Sequence, residues 1–392
     1  MSRPVTDGID LTDEQREFVA LAKEFAAKEI RPRSREVDEA DTVAPLDLWE
    51  KAAEVGLTGY MLPTEYGGGG VTDLVTQCLV QEELCYGDIG IANFLTSSGF
   101  FSEPILHLGS EAQKKRWLSM LTDGVPPVTS VAVTEPGVGS DSASLQTRAV
   151  RDGDHYVLNG QKTWISNAPL SQYFVVFATV DPTLRSRGIT AFLVERDREG
   201  VTVGAPMKKY GQRGTLNAEV FLENVRVPVE NRLGDEGKAF YGLMGTFDAS
   251  RILIGAAATG LSRAALDTTI AYAHERTQFG KPIIEHQAVA FRIADMAART
   301  DVSHLVTMRA ARLFDAGKST PDISAVAKLT ASENTTWVCD AALMTHGGWG
   351  YSREYFPEKW LRDAKLEELE EGTSDIQRLI ISRAVGKPSV GR

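Results

Sequence analysis

The sequence predicts an α+β protein of three domains: an N-terminal α-helical domain (residues 1–123), a central β-barrel or β-sandwich domain (124–235) and a C-terminal four-helix bundle (236–392). Two changes of pattern carry this prediction. Helical spacing of apolar residues gives way near Val128 to short runs rich in Val, Thr, Phe and Tyr, and long helical runs return after Gly234. A chain of 392 residues is long enough for two or three such domains.

Capping boxes and apolar periodicity define the N-terminal helices. Thr12 with Gln15 and Ser110 with Gln113 each have the spacing at which a side-chain oxygen caps a helix and a glutamine returns to the cap. A glycine-rich loop (67–70) is predicted to be either a substrate lid or a flexible connection. The other predicted helices of this domain are Leu48–Val55, Leu74–Cys85 and Ile89–Leu95.

Turn signals such as Asp152-Gly153 and Asn159-Gly160 separate the short runs of the central domain, as they do in β-hairpins. The predicted strands are Ser130–Thr134, His155–Leu158, Tyr173–Thr179, Ile189–Glu195 and Glu219–Val225. In the third domain, the length and periodicity of three runs are typical of bundle helices joined by short turns. These runs are Ala239–Ala273, Gln287–Ala316 and Ile323–Met344.

Composition excludes several classes of function. The net charge of −11 argues against a general nucleic-acid-binding protein, because phosphate neutralisation needs a basic surface. The three cysteines form no CxxC pair and the six histidines no HExxH pair, so we expect buried thiols in a reducing compartment and no metal site. No signal peptide or membrane span is visible after Met1, which favours a cytoplasmic protein.

A glutamate-rich run near the C-terminus is followed at once by a new helix. Its helical pattern ends at Glu371, Gly372 permits a turn, and Thr373 or Ser374 caps the next helix, with Gln377 completing a capping box from Ser374. A carboxylate then stands just ahead of the free N–H groups of a helix, as a base for carbon acids requires. Taken alone, the pattern favours a solvated acidic face that ends in a glycine C-cap.

The residues from Arg362 to Lys365 and from Glu371 to Arg378 together resemble the C-terminal signature of the acyl-CoA dehydrogenase family. The resemblance covers nearly the whole chain and implies that Glu371 removes the α-proton of an acyl-CoA thioester. Many members have an aromatic residue before this glutamate, where this chain has Glu370. We therefore expect that Glu370 turns away to a basic partner or water, or that the acyl pocket is short or wet.

Two segments of the β-domain resemble the flavin-binding strands of the family. One runs from Val131 to Asp141 and the other from Gln161 to Asn167. By themselves they are a glycine-containing β-turn and a strand with a core tryptophan. The resemblance implies that Thr134 and Ser166 bond the flavin, that Trp164 covers its ring and that Ser140 lies on the CoA pyrophosphate side. It assigns cofactor binding to Val131, Val133, Thr134, Trp164, Ile165 and Ser166.

The third domain carries the remaining matches. Without the resemblance, Arg251 is a surface ion-pair residue and the stretch 275–288 a polar turn between two helices. The resemblance implies substrate contacts from Phe247, Asp248, Arg251 and Gly372, and FAD contacts from Arg276, Gln278, Phe279, Gln287, His346, Gly347, Gly348, Thr373 and Asp375. Some members carry the catalytic carboxylate immediately before the arginine, where this chain has Ser250, so Glu371 is the candidate base.

The resemblance implies FAD-dependent dehydrogenation of an acyl-CoA to the trans-2-enoyl-CoA, with electrons passed to an electron-transferring flavoprotein. A homotetramer, arranged as a dimer of dimers, is expected because the FAD site draws on two subunits. Three alternatives stay open: a carrier-protein thioester dehydrogenase, a flavin monooxygenase or oxidase on the same fold, and a non-catalytic flavin-binding assembly protein.

Overall fold

The N-terminal part of the chain is helical, as the sequence predicts. The computed structural model describes residue 6 and residues 10–386. Both predicted capping boxes are present: the Thr12 hydroxyl accepts from the Gln15 N–H and the Ser110 hydroxyl from the Gln113 N–H. The helices are α1 (Asp13–Phe25), α2 (Arg31–Ala40), α3 (Leu46–Glu54), α4 (Leu74–Gly87), α5 (Ile89–Leu95), α6 (Ser97–Leu108) and α7 (Glu111–Ser119).

The central domain is one mixed sheet of eight strands. They are β1 (Thr129–Ala132), β2 (Arg148–Asp152), β3 (His155–Ser166), β4 (Tyr173–Thr179), β5 (Ile189–Glu195), β6 (Val201–Val203), β7 (Asn217–Pro228) and β8 (Arg232–Leu233). Their order in the sheet is β6-β7-β3-β2-β4-β5-β8, with β1 parallel to β4. Two strands are far longer than predicted, β3 by eight residues and β7 at both ends, and they form a long antiparallel pair with register shifts near Gly160 and Lys162.

Alternation along β4 gives the sheet two apolar faces. Val175 and Phe177 join a core shared with α6, α7 and the start of the next helix, whereas Phe174 and Val176 join a core built mainly from the strands of the sheet. One face of the sheet therefore packs on helices, and the other packs mainly on side chains of its own strands.

Long helices return after β8 and form the C-terminal bundle. A small hairpin, β9 (Thr277–Gln278) with β10 (Lys281–Pro282), separates the first two of them. Close packing against α4 requires Gly260, because a Cβ there would lie 2.3 Å from the Glu82 carbonyl oxygen. The helices are α8 (Ala239–Glu275), α9 (Gln287–Asp315), α10 (Pro321–His346), α11 (Pro357–Glu367) and α12 (Ser374–Val385).

Two local predictions are wrong. The helix predicted to end at Glu371 ends at Glu367, and a separate turn carries residues 368–373. The capping box of Ser374 with Gln377 is absent: Thr373 is the cap, and the Gln377 amide donates to the Gly372 carbonyl oxygen at 2.7 Å. Both differences arise because the turn is held by tertiary contacts, which local periodicity does not report.

Some predictions concern residues outside this description. Residues 1–5, 7–9 and 387–392, at the ends of the two outer domains, lie outside the described residues. The predicted absence of a signal peptide concerns this N-terminal segment. The boundaries at 123/124 and 235/236 stay predictions. None of the helices within residues 10–386 is both long and apolar enough to cross a membrane.

Candidate active site

The turn between α11 and α12 carries Glu371 in a left-handed conformation. Its φ is 47°, and that of Gly372 is 96°. A non-glycine residue in this region costs about 1–2 kcal/mol, so neighbouring groups must hold it there. The Glu371 carbonyl oxygen accepts from the Arg251 Nε at 3.2 Å, and the Gly372 carbonyl oxygen accepts from the Lys328 Nζ at 2.7 Å.

The side chain of Glu371 is fixed from helix α8. Ser250 Oγ donates a short hydrogen bond to Glu371 Oε2. The next residue, Arg251, is buried, lies over the Phe247 ring at 5.6 Å and stands 3.5 Å from an Asp248 oxygen. The structure therefore brings the predicted substrate residues Phe247, Asp248 and Arg251 together with Glu371 and Gly372.

Glu371 has the electrostatics of a general base. Burial raises its pKa to about 7, further raised by Glu370 and opposed by the Ser250 hydrogen bond and the charges of Arg251 and Lys328. A base whose pKa lies near the operating pH combines a useful ionised fraction with a strong pull on the proton. Burial likewise raises the pKa of Asp248, with Arg251 opposing it.

Glu370 lies in a polar cluster and not against a purely apolar wall. Burial raises its pKa, while the charges of Lys328 and Lys209 and a hydrogen bond with Glu367 lower it. Glu367 is fully buried and accepts from the Gln212 Nε2 at 2.6 Å. The charges of two lysines therefore act on the Glu370 carboxylate, as the first outcome expected for Glu370 requires, although no ion pair within residues 10–386 joins it to either lysine.

The two predicted flavin segments of the β-domain meet at one end of the sheet. The Thr163 N–H donates to the Thr134 carbonyl oxygen at 2.9 Å, and Ser130 Oγ donates to the Ser166 carbonyl oxygen at 2.6 Å. Trp164 has a φ of 59° and is 58% exposed, which is unusual for a large apolar side chain. Ser166 is exposed beside it, Ile165 points into the core, and Val131 and Val133 lie on the neighbouring strand and its extension.

A second set of predicted residues meets at the end of the helical bundle. Arg276 and Gln278 line a groove together with His346, Gly347 and Gly348, and Tyr272 stacks on the His346 ring with the centroids 4.1 Å apart. Among the hydrogen bonds and ion pairs of residues 10–386, none joins this groove to Thr134 or Trp164. The flavin segments of the β-domain thus form a surface on the sheet, and the groove forms a separate surface on the helical bundle of the same subunit.

The bundle groove fits a phosphate-bearing cofactor such as FAD. A Cβ built on Gly347 or Gly348 would meet no atom within 4 Å, so the backbone there is open to a ligand. His346 Nε2 is buried and, among the described residues, has no hydrogen-bond partner. An exposed Arg276 supplies the planar donor set that phosphate oxygens prefer.

Other predicted site residues make none of the contacts described above for these clusters. Ser140 is exposed in the loop after β1, and Phe279 is 94% exposed at the β9–β10 turn. Gln287 starts α9 on the surface, while Thr373 caps α12 and Asp375 is exposed in its first turn. Their assignment to substrate or FAD stays a prediction. No three His, Cys, Asp or Glu side chains within the described chain are grouped to hold a metal ion.

Sequence reasoning missed two residues that contact the Glu371 turn. The sequence marks Ser250 only as a residue that cannot act as a base, yet its hydroxyl donates to the candidate base. No motif marks Lys328, although a lysine among Ala325, Ala327 and Ala331 is a detectable signal for a buried charge with a partner.

The chain combines a half-buried carboxylate whose pKa burial raises to about 7 with surfaces suited to a flavin nucleotide, which are features that a flavin-dependent oxidoreductase acting on a carbon acid requires. Three family models match the chain: "Acyl-CoA dehydrogenase, N-terminal domain" (residues 12–125), "middle domain" (130–225) and "C-terminal domain" (237–386). The chain belongs to the acyl-CoA dehydrogenase family, whose members are flavoprotein oxidoreductases.

Relatives match over nearly their full length. The "Probable acyl-CoA dehydrogenase YngJ" of Bacillus subtilis (strain 168) is 41% identical over 381 residues, which are 96% of this chain and 99% of the relative. Butyryl-CoA dehydrogenase from Megasphaera elsdenii superposes with a TM-score of 0.92 at 34% identity, covering 97% of this chain and all of that one. A chain in a structure described as "Electron transferring flavoprotein of Acidaminococcus fermentans" gives 0.93 at 36% identity, with 97% and 100% covered.

Proposed function

We propose that this protein is an FAD-dependent acyl-CoA dehydrogenase that converts an acyl-CoA thioester to the trans-2-enoyl-CoA. The observation that carries the proposal is Glu371, a carboxylate that burial brings to a pKa of about 7 in a turn held by α8 and α10. Its ionised oxygen removes the α-proton of the thioester, so the α C–H bond breaks and the proton moves to the carboxylate. FAD, when bound, supplies the acceptor for the hydride from the β-carbon.

The neighbours of Glu371 fix the orientation of its carboxylate and favour its ionised form. Ser250 donates to the carboxylate, which favours its charged form, and Arg251 adds a positive charge and holds the backbone carbonyl oxygen. Because two groups on one helix contact both the side chain and the backbone of Glu371, the proton acceptor is positioned before the substrate arrives.

FAD binding is proposed at the two surfaces described above. Arg276, Gln278 and the backbone of Gly347 and Gly348 would hold the phosphate and adenine side, and Thr134, Trp164 and Ser166 would hold the ring. Because these surfaces belong to separate parts of one subunit, we propose that two subunits complete each site in a dimer of dimers. Exposed apolar side chains near the groove, including Phe279, Met344 and Tyr351, support a subunit contact there.

We further propose that an electron-transferring flavoprotein accepts the electrons, supported by the likeness to a chain in the Acidaminococcus fermentans structure. The cytoplasmic location stays a prediction; the three cysteines are free and buried, as they would be in a reducing compartment.

The test is anaerobic reduction of the purified yellow enzyme by butyryl-, isobutyryl-, octanoyl- and palmitoyl-CoA, followed by identification of the flavin that denaturation releases. We expect FAD, not FMN, and bleaching by at least one acyl-CoA. Colourless protein that FAD cannot reconstitute would contradict the assignment. Bleaching only by a carrier-protein thioester, or rapid reaction of the reduced enzyme with oxygen, would favour a carrier-protein dehydrogenase or an oxidase instead.

A further inference from the structure

Lys328 is a fully buried lysine that contacts the catalytic turn from helix α10. Its Nζ donates to the Gly372 carbonyl oxygen at 2.7 Å, and the Gln377 Nε2 donates to the same oxygen at 2.7 Å. Removing a charged group from water is costly unless it is paired, so a lysine is rarely fully buried without a specific role.

Three carboxyl groups lie near enough to this ammonium for their charges to act on it. Burial lowers the pKa of Lys328, and the charges of Glu370, Glu367 and Glu371 oppose that shift. Burial raises the pKa of Glu367 well above its ordinary range, and the negative charge of Glu370 raises it further; burial raises the pKa of Glu370 as well. Two neighbouring carboxyls whose pKa values are both raised resist simultaneous ionisation.

The other nearby cations each lower the pKa of only some of these three carboxyls. Arg251 faces Glu371, and Lys209 faces Glu370 while donating to the Thr215 carbonyl oxygen and to Asn217 Oδ1. Lys328 acts on all three carboxyls, and its positive charge lowers the pKa of Glu371, Glu370 and Glu367 alike. Without it, the negative charge near Glu371 would be less well balanced and its protonated form would be favoured.

We propose that Lys328 is a positioning residue of the reaction: its buried ammonium holds the left-handed Glu371–Gly372 turn through the Gly372 carbonyl oxygen and brings a positive charge to the side of the turn that carries Glu371. The inference rests on the proposed function of Glu371. Lys328 itself transfers no proton. It acts through the geometry and the acidity of Glu371.

The experiment compares Lys328→Met and Lys328→Gln holoenzymes with the wild type. The measured quantity is the second-order rate constant for anaerobic FAD reduction between pH 5.5 and 9, with the acyl-CoA of the panel that reduces the wild type fastest. FAD content and thermal unfolding are recorded for each protein. Thr335→Val is the matched control, since it removes a buried hydrogen bond of the same helix, from Thr335 Oγ1 to the Ala258 carbonyl oxygen, away from the turn.

Lys328→Met is expected to lower the rate constant at pH 7 by at least about tenfold. The acid limb of the pH profile, where the rate constant falls as Glu371 becomes protonated, is expected to move to higher pH by about one unit. Lys328→Gln keeps a donor but loses the charge, so its acid limb moves equally while its high-pH plateau falls less. Adding Glu370→Gln to either variant is expected to move the limb back down, because one of the unbalanced carboxyls is gone. Thr335→Val is expected to change the unfolding temperature and leave the limb in place.

An acid limb that stays where the wild type has it in Lys328→Gln would overturn the inference, whatever the height of the plateau. If Lys328→Met does not fold, the same comparison of acid limbs is made between the wild type, Lys328→Gln and the double variant Lys328→Gln with Glu370→Gln. The two proposals fail differently. A wild type reduced by no acyl-CoA contradicts the proposed function and the inference with it, whereas a reducible wild type with unmoved limbs contradicts the inference alone.

Discussion

Replacing Ser250 with alanine removes the hydroxyl that donates to Glu371 Oε2 and leaves the backbone contacts of the turn in place. A hydrogen bond to a charged group contributes about 1.5–3 kcal/mol, and one pKa unit corresponds to about 1.4 kcal/mol. Taking the lower end, because water can partly replace the hydroxyl, the pKa of Glu371 rises from about 7 to roughly 8. The ionised fraction at pH 7 then falls from about one half to about one tenth, and the rate falls about fivefold.

The assay is the pH profile of kcat/KM for acyl-CoA oxidation, which reports the pKa of the base in the free enzyme. In Ser250→Ala the acid limb is expected about one pH unit higher, while the plateau above pH 9 changes much less. Ser303→Ala, a buried serine of α9 whose hydroxyl donates to the Arg299 carbonyl oxygen, is the control and should leave the limb in place. An unmoved or lowered limb in Ser250→Ala would refute the reasoning.

Three further predictions follow from the same geometry. Arg276→Gln is expected to weaken FAD binding about 10–100-fold, measured by titration of the apoprotein, because a charged donor to phosphate is lost. Lys281→Gln, in the hairpin that follows Arg276, is the control and should leave FAD binding unchanged. The pKa of Glu371 is higher in the folded protein than in the unfolded chain, so its ionisation destabilises the fold increasingly as the pH rises from 4.5 to about 7. Glu371→Gln is therefore expected to raise the free energy of unfolding, measured in urea, by about 1–3 kcal/mol at pH 8 and by little at pH 4.5. The second outcome expected for Glu370, a short or wet acyl pocket, predicts higher kcat/KM for butyryl- or isobutyryl-CoA than for octanoyl- or palmitoyl-CoA, and a clear preference for the longer chains would show that Glu370 does not limit the pocket.

Local patterns predicted the elements whose sequence alone determines them. The strand Tyr173–Thr179 and the helix Ile89–Leu95 have the predicted bounds, because each is a short apolar run between strong turn signals. The strand β3 extends well past its prediction, since Gly160 and the polar residues after it break the alternation and only pairing with β7 shows that the strand continues. Tertiary pairing overrode propensity there.

The candidate base was predicted, but its surroundings were not. Glu371 could be singled out because the residues on both sides resemble a family signature. Its hydrogen bond to Ser250 joins residues 121 positions apart, and the contact of Lys328 with Gly372 spans 44, so no local spacing reveals either one. The predicted capping box failed for the same reason, because Gln377 serves the turn and not the helix end.

The central claim, that Glu371 is the base, is tested most directly by comparing Glu371→Gln with Glu370→Gln in anaerobic flavin reduction by the fastest acyl-CoA of the panel. Both changes replace a carboxylate of the same turn with its neutral isostere, and FAD content controls for cofactor loss. We expect Glu371→Gln to slow reduction by about 10²–10⁴-fold, the typical cost of losing a positioned general base, while Glu370→Gln still reduces readily. Abolished reduction in Glu370→Gln together with intact reduction in Glu371→Gln would contradict the account.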